Sequence, residues 1–348
     1  MKFNSFLKLL FSGFVFALLA ISCTKEGPMG PAGADGADGS DGTNGVDGNV
    51  TCLVCHSGTN MEEKQAQFAM SAHSVGAIAV DYAGGRASCA PCHSHELFVQ
   101  TMTLGEVVGD VTSPSAWKCS TCHGIHKTFE GQDFALRSSD PVVAIFDETV
   151  TMDLNGNSNL CAVCHQTRRA GPSIETPDAD TYNITSTHWG PHHGPQANVV
   201  AGIGFEEIAG PLPYPEAGSN QHLSGGSCVG CHMAEFAEGM GGHSFIPSAD
   251  ACNECHSGSD VDDDYIYKGK QTFIEEKLVE LRDELIALGV VAGSEEEGYH
   301  PVTGEHPILY AQAYFNWIGL EEDRSLGAHN PEYVNALLIN TLDALKGE

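Results

Sequence analysis

The chain carries one five-residue pattern, Cys-X-X-Cys-His, six times: CLVCH at Cys52–His56, CAPCH at Cys89–His93, CSTCH at Cys119–His123, CAVCH at Cys161–His165, CVGCH at Cys228–His232 and CNECH at Cys252–His256. Zinc sites, redox dithiols and structural disulfides also use paired cysteines, but none of them requires histidine directly after the second cysteine. Histidine is 17 of 348 residues, so six of six by chance has a probability on the order of 10⁻⁸. Covalent haem attachment does require it. The two sulfurs reach the two vinyl groups of one macrocycle, and the adjacent imidazole turns in as the proximal iron ligand. Six haems c, each with its iron, are the expected cofactors. They are bonded through Cys52 and Cys55, Cys89 and Cys92, Cys119 and Cys122, Cys161 and Cys164, Cys228 and Cys231, and Cys252 and Cys255. The proximal ligands are His56, His93, His123, His165, His232 and His256.

Each iron has a second axial position. Seventeen histidines less the six in the motifs leave eleven, enough for bis-histidine ligation at every iron, which closes the metal to substrate. Methionine would raise the potential, but the methionine contexts read as core filling. Six distal candidates stand out. His73 follows a helix-like stretch, Glu62 to Ala72. His126 lies three residues past His123. His193 is taken from the adjacent pair His192-His193 in THWGPHHGPQ. His222 precedes the fifth motif by six residues, and His243 sits in GGHSF. His329 sits in LGAHNPEY, where Asn330 can cap a helix and Pro331 suits its first position. His95, His300 and His306 read as surface residues.

Between Ser57 and Pro247 the chain is rich in Gly, Pro and Ser and lacks long periodic apolar stretches, so it offers little material for an ordinary core. The expected fold is mainly α with long irregular loops, wrapped around packed haems that supply the apolar interior. The motif spacing is irregular, with no strict repeat. Beyond residue 271 the character changes. Ile274, Leu278, Leu281, Leu285 and Leu288 mark one helical face, and Val334, Leu337, Leu338, Thr341, Leu342 and Leu345 another; a homo-oligomer seam along one of them is an open alternative.

Three blocks result: residues 1–22, 23–50 and 51–348. The first is an export signal, an apolar run from Phe6 to Ile21 with Lys2 and Lys8 at its N-terminal end. It ends in Ala20-Ile21-Ser22-Cys23, which resembles a lipobox with Cys23 as the lipidated residue. The second has glycine at every third position from Gly27 to Gly48, a collagen-like register that with few prolines and many aspartates reads as an acidic tether. The third is the hexahaem domain with helices over 271–348. The formal charge of −30 excludes nucleic acid, whose phosphates need Lys and Arg, and selects basic or cationic partners. The stretch Asp153 to Asn159 resembles a calcium loop, but its twelfth position is Cys164, so no calcium is expected.

THWGPHHGPQ, CVGCHM followed by GGHSF, and GAHNPEY before a helix together resemble multihaem cytochromes. The group is that of cytochrome c nitrite reductase, hydroxylamine oxidoreductase and their tetrahaem electron partners. The resemblance spans roughly residues 52–345 and implies a mostly helical, haem-packed fold. In the nitrite reductases the catalytic haem carries lysine in place of the motif histidine. All six motifs here end in histidine, so no activity transfers. The expectation is an electron carrier rather than an enzyme, on the outer membrane facing the periplasm or the cell surface. It is anchored by lipid and exchanges electrons with redox proteins or an extracellular acceptor. The alternatives are a reductase of a small nitrogen or sulfur oxyanion, and a subunit of a haem filament.

Overall fold

A computed structural model of the protein describes residues 58–125, 135–236, 240–256, 260–262 and 264–347. The first two blocks, the first motif and His126 lie outside them. In the first two thirds of the described chain, helices of four to twelve residues alternate with loops. Helices this short do not persist on propensity alone, and side-chain caps hold several of them. Ser71 Oγ accepts from Ser74 N at 3.2 Å, Ser94 Oγ from Leu97 N at 3.3 Å, Ser248 Oγ from Ala251 N at 3.2 Å and Asn220 Oδ1 from His222 N at 3.1 Å. The stretch expected as one helix from Glu62 to Ala72 is two. Gly58–Ala69 stops short of Ser71, whose hydroxyl opens a new turn, Ala72–Val75, carrying His73.

Each described Cys-X-X-Cys-His lies on one helical turn. The backbone N–H of His93, His123, His165 and His256 donates to the first cysteine's carbonyl, at 3.2, 3.0, 2.9 and 3.0 Å. Residues three apart share a helix face. The turn therefore aims both sulfurs one way and places the histidine beside them.

The C-terminal third builds a core from side chains alone. Three helices, Lys270–Ala287, Ile308–Asp323 and Pro331–Gly347, bury Leu281, Leu285, Phe315, Tyr333, Leu337 and Leu338 completely. Each such side chain contributes roughly 1.5–3 kcal/mol relative to exposure. The first helix ends in a Schellman turn. Gly289 at φ 73° follows it, Gly289 N donates to Ile286 O at 3.0 Å and Val290 N to Leu285 O at 2.9 Å. Asn330 Oδ1 caps the last helix through Tyr333 N at 3.2 Å. The middle helix is apolar on nearly every side, because it is buried between the other two and against Thr181–Ile184; a helix with no polar face has no stripe for periodicity to reveal. Two antiparallel ribbons complete this part. Val291–Ser294 pairs with Gly298–Pro301, and Thr181–Ile184 with Gly304–Pro307 in the register Thr181↔Pro307. Buried asparagines tie loops to it: Asn316 accepts from Glu206 N and donates to Glu206 O, and Asn340 does the same for Leu212.

Candidate haem-binding centre

Within the described residues, five motif histidines each face a second imidazole from elsewhere in the chain. The ring centroids are 6.0 Å apart for His93 and His192, 6.2 Å for His123 and His243, and 6.0 Å for His165 and His73. They are 6.2 Å apart for His232 and His329 and 6.0 Å for His256 and His222. A histidine nitrogen binds a transition metal at about 2.0–2.1 Å and lies roughly 1.2 Å from its ring centre, so imidazoles trans across one metal stand about 6.4 Å apart, less when tilted. The five separations match that distance.

Hydrogen bonds select the tautomer. His165 Nδ1 meets Gln196 Oε1 at 3.1 Å, His232 Nδ1 meets Phe245 O at 3.0 Å, His222 Nδ1 meets Ala328 O at 2.5 Å and His329 Nδ1 meets Asp323 Oδ1 at 2.6 Å. With Nδ1–H donated, Nε2 keeps its lone pair for a metal. Burial, helped by neighbouring positive groups, lowers the pKa of His73 and of His192 to about 4. It also lowers those of His93, His165, His232 and His243. A neutral ring is the ligating form. His329 differs: burial pulls its pKa down, but the Asp323 carboxylate outweighs burial and raises it.

A cavity of about 2430 Å3 runs along the second, fourth, fifth and sixth motifs and reaches Cys122 of the third. Ordinary small-molecule pockets hold about 300–1,000 Å3. Buried His192 Nε2 has no hydrogen-bond partner, an arrangement that costs about 1–3 kcal/mol unless something binds there. Paired sulfurs, facing neutral imidazoles, an unpartnered ligand nitrogen and a multi-ligand cavity all fit haem.

The motifs also meet one another. Cys92 Sγ of the second motif donates to Val163 O of the fourth at 3.8 Å, and Cys161 of the fourth lies within electrostatic reach of Cys228 of the fifth. Cys122 lies within electrostatic reach of Cys161 and Cys164, and Cys231 of Cys252. The fourth motif thus meets the second and lies near the third and fifth, and the sixth lies near the fifth.

No family model matches the chain, and no curated protein matches it. Among solved structures it is similar to the outer cell wall cytochrome OcwA, with a TM-score of 0.52 and 19% identity over 81% of this chain and 50% of that one. The fold is that of a multihaem cytochrome. The undecahaem cytochrome from the S-layer of Carboxydothermus ferrireducens aligns with a TM-score of 0.49 and 18% identity, over 79% of this chain and 40% of that one. The chain spans about half the length of the first.

Of the expected distal residues, His73, His222, His243 and His329 stand opposite motif histidines, and His126 lies outside the described residues together with Cys52, Cys55, His56 and Cys23. At the adjacent pair the expected residue, His193, is not the one that stands opposite a motif histidine. His192 faces His93, while His193 points outward, its side chain 73% exposed, and pairs with Glu322 through Nδ1 and Oε1 at 2.6 Å. Positive φ angles at His192 (83°) and Gly194 (88°) bend this loop sharply. The glycines of GGHSF also have a reason: a Cβ on Gly242 would lie 2.4 Å from Gln67 Oε1, the atom that accepts from His243 N. Sequence reading missed Gln196, Asp323 and Phe245, whose roles come from atoms next to ligands rather than from a motif. The glutamine closing THWGPHHGPQ was the one visible trace of them.

Proposed function

We propose that the protein is an electron-transfer cytochrome in which six c-type haems, each with two histidine ligands, pass electrons through the chain. The recurrence of five facing imidazole pairs at 6.0–6.2 Å carries this reading. Haem iron supplies the one-electron ferric–ferrous couple when bound. The chain's own residues do the rest. The cysteines would hold each macrocycle, the facing imidazoles would ligate its iron, and the Nδ1 acceptors of His165, His222, His232 and His329 would keep those four rings in place. No vacant metal position is left for a substrate. The contacts between motifs keep successive sites close, and electron tunnelling falls off steeply with distance.

The signal and lipobox favour an outer-membrane lipoprotein attached through Cys23, with redox proteins or an extracellular acceptor as partners. The acidic surface favours basic or cationic ones.

Purified protein should show six covalent haem additions by mass spectrometry. Electron paramagnetic resonance should show only low-spin ferric signals, and the reduced protein should bind little carbon monoxide. A high-spin signal together with turnover of nitrite or hydroxylamine would overturn the carrier reading. Cys23→Ala should release the protein from membranes with its haem content unchanged; retention in the membrane fraction would defeat the anchor.

A further inference from the structure

One more imidazole pair stands at ligand distance, away from every Cys-X-X-Cys-His motif. His188, in the loop after Thr181–Ile184, and His300, on the strand Gly298–Pro301, have ring centroids 6.1 Å apart with their planes at 41°. That lies inside the range of the five facing pairs. Both rings, however, are exposed, and neither lines the large cavity.

Both side chains spring from rigid backbone. His188 N donates to Ser186 Oγ at 3.1 Å. The next residue, Trp189, is 3% exposed, stacks on Tyr314 at 5.7 Å and donates through Nε1 to Tyr182 OH at 3.0 Å. Thr187 Oγ1 lies 3.3 Å from His188 Nδ1, which leaves Nε2 for an outside ligand. His300 sits opposite Ala292 in the Val291–Ser294 ribbon, and buried Pro301 follows it. Two ligands on packed elements need little reordering to close on one ion.

We propose that His188 and His300 form a surface site for a hydrated divalent transition-metal ion, held between the two imidazoles with water in its remaining positions. The separation selects the geometry. Imidazoles meeting at a tetrahedral angle stand about 5.2 Å apart, and trans ones about 6.4 Å. The observed 6.1 Å opens the angle at the ion to roughly 145°, well beyond the tetrahedral value, which Cu2+ or Ni2+ accepts better than tetrahedral Zn2+ does. Among such ions Cu2+ binds nitrogen ligands tightest. No group of three or more His, Cys, Asp or Glu among the described residues could hold a metal, so water completes the coordination. The immediate neighbours Ser186 and Thr187 are polar and exposed, which suits an aquated ion and not a macrocycle that needs apolar walls. The net charge of −30 raises the local cation concentration.

The test is isothermal titration of the full-length haem-loaded protein with CuCl2 near neutral pH. Wild type is compared with His188→Ala, His300→Ala and the control His306→Ala, a half-buried histidine outside the pair. One site should be strongest in wild type and in the control, with a copper resonance split by two nitrogens. Its affinity should fall about tenfold or more in each of the other two variants. Equal affinities in all four proteins, or loss in only one of the two, would overturn the pair as a site. Acid–acetone extraction supplies the competing outcome. One extractable haem per chain in wild type, absent from both variants, would replace the hydrated ion by a macrocycle and overturn the proposal.

Discussion

His329 shows how much one neighbouring atom can decide. Its ring faces His232, and its Nδ1 meets the carboxylate of Asp323, a residue only 3% exposed. Ser325 holds the other carboxylate oxygen, and its Oγ also accepts from His329 N at 3.3 Å. A carboxylate behind an imidazole makes it a stronger ligand and favours ferric iron. Asp323→Asn keeps the shape and removes the charge. Losing such a partner changes metal binding about 10–100-fold. Where that loss falls on ferric iron alone, the potential of this haem rises by about 60–120 mV, at 59 mV per tenfold for a one-electron couple. Spectroelectrochemical titration checks this, with the visible spectrum remaining low-spin. The adjacent histidines give a second expectation at this scale. His192→Ala should produce one high-spin iron and one carbon-monoxide-binding site per chain, whereas His193→Ala should leave the spin state unchanged. The opposite result would return the ligand to His193.

At the scale of elements, the C-terminal helices are held by ordinary packing. Leu281 is fully buried among the three of them, so Leu281→Ala should cost about 3 kcal/mol of unfolding free energy, from lost transfer and the cavity left behind. Gly289→Ala should cost about 1 kcal/mol, because the Schellman turn needs φ near 73° and only glycine takes it freely. Both should leave the Soret spectrum of the native protein unaltered, and denaturant titration followed by far-UV circular dichroism measures the loss. The stripes that mark the outer two helices were legible in the sequence at Ile274, Leu278, Leu281 and Leu285, and again at Val334, Leu337 and Leu338. Ile308–Asp323 was not, since a helix surrounded by partners loses the alternation that betrays an amphipathic one. The ribbons escaped for another reason: each strand is only four residues long, below the length at which a two-residue period stands out.

For the whole molecule, the proximities among motifs describe a branched network centred on the fourth site. Removing the fourth haem with Cys161→Ala and Cys164→Ala should disconnect the second and third sites from the fifth and sixth. After rapid partial reduction, electrons should redistribute about tenfold more slowly or worse. Removing the second haem with Cys89→Ala and Cys92→Ala serves as the control and should spare exchange among the remaining sites. Equal redistribution rates in the two variants, with five haems in each, would contradict the hub.

The sequence by itself determined the chemistry of attachment. Cys-X-X-Cys-His is a local pattern, satisfied within one helical turn, and nothing distant is needed to read it. It also singled out His73, His222, His243 and His329, which sit beside caps, glycines or motifs that make a histidine conspicuous and which the structure sets opposite motif histidines. Only the tertiary structure decided which imidazole meets which. Facing pairs join residues as far apart as His73 and His165 or His93 and His192, and the choice between His192 and His193 depends on backbone angles that adjacent letters do not encode. The hub has the same origin. The second motif meets the fourth across 71 residues of chain, Cys92 Sγ lying 3.8 Å from Val163 O, and that proximity is a property of the packed chain, not of any segment within it.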